Sequence, residues 1–364
     1  MAKYHFPVLK NEVVNFWINS AFFKKNKIVL LDATCGEGGH SLAILKKAQK
    51  LGFLEKLKII CLDADAEILK HAQKRLNRFS DNLIFINDNF VNIDKILADL
   101  KIEKLDGALA DLGISMFHYK KSGRGFSLLG DEELDMRLTK FPACSVLRSN
   151  SGRQIPTTPD SQDELARLQR FAQQFGQVNR CGRDSKSQNI NAKYIINNWG
   201  QKELEEIFKN YGEEKWSKRI AQKIVAKRKN EEIKTASQLA QIVKEAIPAK
   251  FQPRHIHAAT RVFQALRIAV NNELSNLEKF LKIIPTYIAH NGHILIISFH
   301  SLEDRIVKQN FKSLTLDRHD EIYGRVIEKA QFENVVKKPI FPGDEEVEEN
   351  SASRSAKLRI IRKR

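Results

Sequence analysis

Leu30-Leu31-Asp32-Ala33-Thr34-Cys35-Gly36-Glu37-Gly38-Gly39-His40 joins a short apolar run that starts at Lys27 to a helical pattern over Ser41 to Ala48. An apolar run, then clustered glycines, then periodic apolar positions predict a strand, a tight turn and a helix. Glycines at a strand end let a ligand approach the backbone closely, and the helix that follows offers free amides. The occupant such a turn fits is a nucleotide-like cofactor; a purely structural turn is the alternative. The dinucleotide fingerprint GxGxxG is not met, because Ser41 stands where its third glycine belongs, and this argues against NAD.

The same unit recurs along the chain. Leu57 to Leu62 is a second apolar run, ends at Asp63, and precedes a helical stretch from Ala66 to Leu76 with Ile68, Leu69, Ala72 and Leu76 on one face. Leu83 to Ile86 and Gly107 to Leu109 are further strand candidates, the latter ending in Asp111, and His293 to Phe299 follows a long helix. This alternation predicts a parallel sheet covered by helices. Acidic residues closing successive strands match an S-adenosylmethionine site: Asp63 can accept from ribose hydroxyls, with a helix N-cap as its alternative. Phe90, just after the third strand, can lie on an adenine face or in the core.

Composition narrows the class. The 364 residues are 42% hydrophobic and 29% charged, which excludes a disordered or fibrous chain. Lys and Arg total 61 against 44 Asp and Glu, a net charge of +17, and that excess favours a polyanionic partner. Cys35, Cys61, Cys144 and Cys181 form no CxxC pair, so neither a disulfide scaffold nor a zinc site is expected. With no apolar leader and no run long enough to span a membrane, the expectation is a soluble cytoplasmic protein.

A helical region interrupts the sheet pattern. Residues 201–232 read as basic helix, and Thr235 with Gln238 forms a capping box for a helix from Ala236 to about Ala246, ended by Pro248. Segment 141–188 differs: it has six Arg, one Lys and seven Gln, whereas 189–234 has nine Lys and two Arg. It reads as an acquired, flexible surface insertion. The expected division is 1–130 and 255–364 for the sheet domain and 131–254 for the insert. On the basic helix Glu213 to Lys229, the residues Lys215, Lys218, Arg219, Lys223, Lys227 and Arg228 can face phosphates, or simply water. A helix from about Ala258 to Leu281 carries an apolar row and a polar row of Thr260, Gln264, Arg267 and Asn271. That polar row is either a buried network or, at Arg267 and Asn271, a cofactor or substrate contact. Ser301 and Asp304 read as the cap of a helix after the last strand, leaving His300 exposed at the sheet end. His255-Ile256-His257 lacks a companion carboxylate or cysteine, so no metal is expected. No GxSxG elbow marks a hydrolase.

Together these pieces resemble, along nearly the whole chain, the bacterial small-subunit (16S) ribosomal RNA cytosine-N4 methyltransferases, the RsmH or MraW family. The matching blocks are His5 to Leu9, Asp32 to His40, Asp106-Gly-Ala-Leu-Ala-Asp-Leu-Gly-Ile-Ser115, Arg124-Gly-Phe-Ser127, Leu134-Asp-Met-Arg137, Tyr211-Gly-Glu-Glu214, Thr260 to Arg267, Ser298 to Lys308, and Ser353 to Arg359. The resemblance implies an α/β fold: a Rossmann-like class I methyltransferase domain with an inserted helical domain. It implies methyl transfer from S-adenosylmethionine to the exocyclic N4 of a cytosine in the decoding centre of 16S rRNA, on the assembled small subunit. A homodimer is compatible with it.

Carried over residue by residue, the resemblance implies that Gly38, Gly39, His40, Asp63, Phe90 and Asp111 bind the cofactor. Arg267, Asn271, His300, Lys218 and Arg219 are candidates for the substrate. Two features depart from the pattern. His118 stands where many members have a cofactor-contacting Gln, and 141–188 lengthens a linker that is short in relatives. Many amino-methyltransferases hold the amino group with an Asp/Asn-Pro-Pro-aromatic loop; here the loop is Asp111-Leu-Gly-Ile-Ser115. Asp111 or backbone carbonyls then hold the amino group, with Phe126 or Phe299 stacking on a flipped base. A methyltransferase acting on DNA, or a ribosome-assembly binder that kept the fold, are the rival readings.

Overall fold

The computed structural model describes residues 6–18, 25–128, 130–139, 190–253, 256–320 and 325–364. The segment 141–188, Cys144, Cys181 and His255 lie outside them. The chain forms two compact units, 1–121 with 272–364, and 122–271. Residues 122–130 and 256–271, which the sequence pattern assigns to the sheet domain, therefore belong to the helical unit.

The first unit opens with α1 (Lys10–Trp17) and then alternates strand and helix: β1 (Ile28–Asp32), α2 (Gly39–Lys50), β2 (Leu57–Asp63), α3 (Ala66–Leu76), β3 (Leu83–Asn87), α4 (Ile93–Asp99), β4 (Leu105–Asp111) and the short α5 (Met116–Lys120). All five residues of β1 are buried. Such a strand has no polar face, because helices cover both sides of the sheet. Ile28 and Leu30 pack with Ile44, Leu45 and Leu69 in one layer. Val29 and Leu31 pack with Ile93, Ile96 and Leu97 in the other.

The helical unit follows with α6 (Ala192–Asn198), α7 (Gln201–Asn210), α8 (Ser217–Arg228), α9 (Ala236–Ala246) and α10 (Thr260–Asn271). The expected capping box of α9 is present: the Thr235 hydroxyl accepts from the Gln238 amide, and the Gln238 side chain accepts from the Thr235 amide. The chain then returns to the first unit through α11 (Glu273–Tyr287), β5 (Ile288–Ser298), α12 (Ser301–Thr315), a two-stranded ribbon of β6 (Arg318–His319) and β7 (Val326–Glu328), β8 (Phe332–Asn334), α13 (Asp344–Glu349) and β9 (Lys357–Lys363). The single helix expected over Ala258 to Leu281 is two helices. Asn272 adopts a left-handed backbone, φ 52°, a conformation Asn tolerates better than most residues. The apolar spacing runs unbroken across it, which is why the break is invisible in the pattern.

The seven-stranded sheet has the order β3-β2-β1-β4-β5-β9-β8. Strands β1 to β5 are parallel, and β9 runs antiparallel to both neighbours. Strand order reverses between β1 and β4, and ligands of such sheets bind beyond the carboxyl ends of the strands at that switch. Asp32, Asp63 and Asp111 end β1, β2 and β4 there. Among the described residues no helix is long and apolar enough to cross a membrane.

The block from Asp106 to Ser115 divides between scaffold and site. Asp106 accepts from the Val29 amide at 2.8 Å and from Lys25, anchoring the start of β1. At Gly107 an added Cβ would sit 2.3 Å from the indole nitrogen of Trp17. Asp111, at the far end of the strand, keeps Oδ1 without a partner.

The last strand is held by charge. Asp304 of α12 accepts from Arg359 at 2.7 and 3.2 Å and from Lys357 at 3.3 Å. Burial alone would raise the Asp304 carboxyl; Arg359 and Lys357 outweigh it and hold its pKa below the usual carboxylate value. Such a group contributes stability above the ordinary carboxylate range, and the contribution is lost as pH falls through the lowered pKa. Asp304→Asn is therefore expected to cost about 2 kcal/mol at neutral pH. Guanidinium denaturation at pH 7 and pH 3 checks this, with the difference from wild type shrinking at pH 3.

Candidate active site

The turn after β1 requires its glycines. Gly36 and Gly38 have φ of 54° and 76°, and a Cβ on Gly38 would meet Leu76 Cδ1 of α3 at 2.7 Å. The Cys35 amide donates to Leu62 O and the Gly38 amide to Cys35 O, both at 2.8 Å. The Gly36 amide donates to Asp63 Oδ2 at 2.8 Å, and the Asp65 amide to Asp63 Oδ1 at 2.9 Å. Burial, the largest influence, pushes the Asp63 pKa up, while these two amides pull it down. The helix cap considered for Asp63 belongs to Asp65, which accepts from the Glu67 amide at 2.9 Å. Asp63 keeps lone pairs for further donors, since an ionised carboxylate offers about four acceptor sites.

Asp32 lies beneath this turn, 1% exposed. Ser41 Oγ donates to its Oδ2 at 2.7 Å, while Oδ1 has no partner. Burial raises its pKa to about 6. His40, 5% exposed, points Nε2 at Asp111 Oδ2 across 3.4 Å, and neither ring nitrogen makes a hydrogen bond. Asp111 Oδ1 is buried without a partner, and its backbone amide is held by Thr34 Oγ1 at 2.6 Å. A partly exposed carboxylate with a free oxygen and a neighbouring imidazole can accept and relay a proton. The sequence placed Asp111 and His40 in the site; their pairing could not be read from it.

His118 is buried, and both ring nitrogens are engaged. Nδ1 lies 3.2 Å from the Ser115 amide and hydroxyl, and Nε2 lies 3.1 Å from Asp65 Oδ2. The imidazole thus joins the cap of α5 to the cap of α3. Phe90 meets Phe280 edge-on, centroids 5.2 Å apart, so part of its ring belongs to the core. Gly113, φ 102°, lets the loop after β4 run along Phe299; a Cβ added there would sit 3.4 Å from that ring.

His300 is not the exposed residue its position implied. Its side chain is 9% exposed and 3.1 Å from Glu303. It is itself the N-cap of α12, in a capping box with Glu303, in place of the expected Ser301 and Asp304. Glu303 Oε2 accepts from the Phe299 and His300 amides at 2.8 and 3.3 Å. Ligand atoms of Glu273, His300 and Glu303 lie within 4.8 Å of one another. Nδ1 accepts from the Glu303 amide, so the neutral ring carries its proton on Nε2, facing the carboxylates.

In the helical unit, Asn271 is fully committed. Nδ2 donates to Met136 O and Arg267 O at 2.8 and 2.9 Å, and Oδ1 accepts from the Leu138 amide at 2.9 Å. Arg124 donates to the carbonyls of Arg137 and Leu138, and the Met136 amide to Arg124 O. The blocks Arg124–Ser127 and Leu134–Arg137 thus knot together under Asn271, with Phe126 buried. Arg267 is half-buried on α10. Gly212 marks a close approach, since a Cβ there would sit 2.6 Å from Arg261 O. Lys218 and Arg219 are exposed at the start of α8, Lys215 just before it and Lys227 in its last turn. Two expected phosphate ligands serve elsewhere. Lys223 pairs with Glu245 at 2.8 Å, and Arg228 donates to Ile196 O and Trp199 O, both at 2.6 Å.

A glycine turn and three acidic strand ends at the switch of this sheet describe a methyltransferase-type site, and a family model describing the MraW methylase family matches residues 2–158 and 182–364. The chain belongs to the MraW methylase family. It is similar to the ribosomal RNA small subunit methyltransferase H of Leptospira interrogans (strain 56601), 39% identical over 361 residues that cover 99% of this chain and 89% of that protein. It is likewise similar to the proteins of that name from Clostridium botulinum (strain 657), 38% identical over 99% of this chain and 98% of the relative, and from Halothermothrix orenii, 36% over 98% and 97%. Residues 159–181 fall outside the MraW match.

The raised Asp32 pKa in this MraW chain has a sign that can be measured. A carboxyl with a folded pKa above its unfolded value keeps its proton longer in the folded state, so stability falls as pH rises from about 4 to 6. The loss from Asp32 amounts to about 3 kcal/mol. Asp32→Asn keeps an acceptor for Ser41 and removes the titration. Its stability relative to wild type should therefore improve by that amount between pH 4 and pH 7, read from denaturant midpoints.

Proposed function

We propose that this chain transfers the methyl group of S-adenosylmethionine to the exocyclic N4 of a cytosine in the decoding centre of 16S ribosomal RNA, acting on the small subunit in the cytoplasm. The observation that carries the reading is the acidic ends of three adjacent strands, gathered around a turn that only glycine can make, in a chain of the MraW methylase family. The names of its relatives supply the substrate class.

The residues fit the cofactor. Buried, unpartnered atoms at His40 and Asp111 are available at the switch point, and Asp63 can accept from the ribose hydroxyls. Gly38, Gly39 and His40 would line the donor, Phe90 would face its adenine, and His118 would shape the wall opposite Asp63. When bound, S-adenosylmethionine supplies an electrophilic methyl group on a sulfonium.

The chain's own residues do the rest. The cytosine N4 lone pair is delocalised into the ring, so alignment dominates the rate. Asp111 Oδ1 would accept one N–H of the amino group, turning the nitrogen toward the donor. The same oxygen would take the proton released on methylation, with His40 beside Oδ2 spreading the charge. Gly113 would keep the loop close to the half-buried Phe299, whose ring would stack on a base taken out of its stack.

Radiolabelled S-adenosylmethionine with undermethylated small subunits, naked 16S RNA and duplex DNA separates this from its rivals. The expected label is on a cytosine N4 of the subunit. Label on DNA, or cofactor binding without any transfer, would overturn the reading. Asp111→Asn is expected to lower kcat roughly a hundredfold or more with an unchanged melting temperature; near-normal transfer would remove Asp111 from the mechanism.

A further inference from the structure

The helical unit carries an exposed aromatic feature that the methyl-transfer site does not use. Phe251, in the turn Ala249–Phe251, is 54% exposed. Its ring lies 5.3 Å from that of Trp216 at a tilt of 41°, and Lys250 Nζ sits 4.9 Å from its centroid. Both aromatic positions are fixed by the backbone. The Trp216 amide donates to the buried Glu214 carboxylate at 2.8 Å. The Phe251 amide donates to Pro248 O at 2.8 Å, and Gln252 ties the turn to Lys244 O and Ile247 O at 3.0 and 3.2 Å.

Exposed charge around this pair is mostly positive, with Glu213 the acid within a turn of Trp216 on the surface and Glu214 buried beneath it. Lys215, Lys218, Arg219 and Lys250 are exposed within a turn of one or other aromatic. The first turn of α8 contains no acidic residue, although cations there are unfavourable to the helix dipole. Further along the helix Lys223 and Arg228 are neutralised or engaged, while Lys227 stays exposed. Exposed cations therefore outnumber exposed acids beside the aromatic pair.

We infer that Trp216 and Phe251 form a stacking platform for a base of single-stranded or looped RNA, with Lys215, Lys218, Arg219 and Lys250 holding the flanking phosphates. An aromatic face with a cation beside it suits a nucleobase of any sequence, while the lysines and arginine read only the backbone. An apolar protein segment would not need this charge, and a duplex would hide its base faces. The inference rests on the RNA reading above and adds a contact outside the reacting site.

The test uses the full-length chain and a fluorescent single-stranded oligoribonucleotide, with duplex RNA as control. Phe251→Ala and Phe251→Leu should each weaken single-strand binding roughly tenfold, while Phe251→Tyr should retain it. Bound RNA should quench tryptophan fluorescence in wild type and less in Phe251→Leu. Lys218→Glu with Arg219→Glu should lower the slope of log K against log salt by about 2. Cofactor affinity and melting temperature should not move, since Phe251 is a surface residue. On small subunits, Phe251→Leu should raise KM with kcat unchanged. Wild-type oligonucleotide binding in Phe251→Leu overturns the platform, even where subunit binding is weakened, because the occupant is then a protein. Absence of methyl transfer to any substrate would sink the catalytic reading and leave the oligonucleotide result to stand on its own.

Discussion

The hydrogen bond from the Gly36 amide to Asp63 holds the site in shape. It ties the turn after β1 to the end of β2, and it requires Gly36 in a left-handed backbone that a side chain would strain. Gly38 seals the same turn against Leu76, so α2 and α3 cannot separate without opening it. The arrangement concentrates acid. Burial raises the Asp32 pKa most, and the nearby Asp111 and Asp63 carboxylates add to the rise. Asp32, 1% exposed, therefore holds its proton up to about pH 6.

Much of what looks distinctive in this sequence is scaffold. Arg124, Gly125, Met136 and Asn271 form a single hydrogen-bonded knot, in which Met136 takes φ 58° and a Cβ on Gly125 would sit 2.4 Å from Glu133 O. The Tyr211–Glu214 block is a turn that lets α7 approach the backbone of Arg261. The tail block is the strand that Asp304 retains. Such residues look functional because polar side chains in a fixed pattern suggest chemistry. Outside the tail, the partners are mainly main-chain atoms, and that is how irregular backbone satisfies its polar groups when buried.

What sequence could reveal follows from the range of the forces. The limits of α3 and the cap of α9 were legible because they depend on neighbours three or four residues away. The acidic strand ends were legible because each closes an apolar run. The break at Asn272 was not, since both helices keep the same apolar spacing. Nor was the cap at His300, because Ser301 is the better intrinsic N-cap and His300 serves only with Glu303 reaching back. Pairings such as His40 with Asp111, or Arg228 with the carbonyls of α6 and Trp199, join residues far apart in the chain, so no local pattern encodes them.

His118 fastens two loops of the site together. A carboxamide there would bring one acceptor and one donor group; the imidazole brings the same pair on opposite sides of a rigid ring. Nδ1 accepts from Ser115 while Nε2 donates to Asp65, so the loop after β4 is fastened to the residue that caps α3, two positions beyond Asp63. The two loops that flank the switch point are thereby linked through one side chain. A ring that served only the cofactor would be free to turn toward it. This one is braced from both ends, so its contribution to the site is to set the spacing between Asp63 and the loop that follows Asp111.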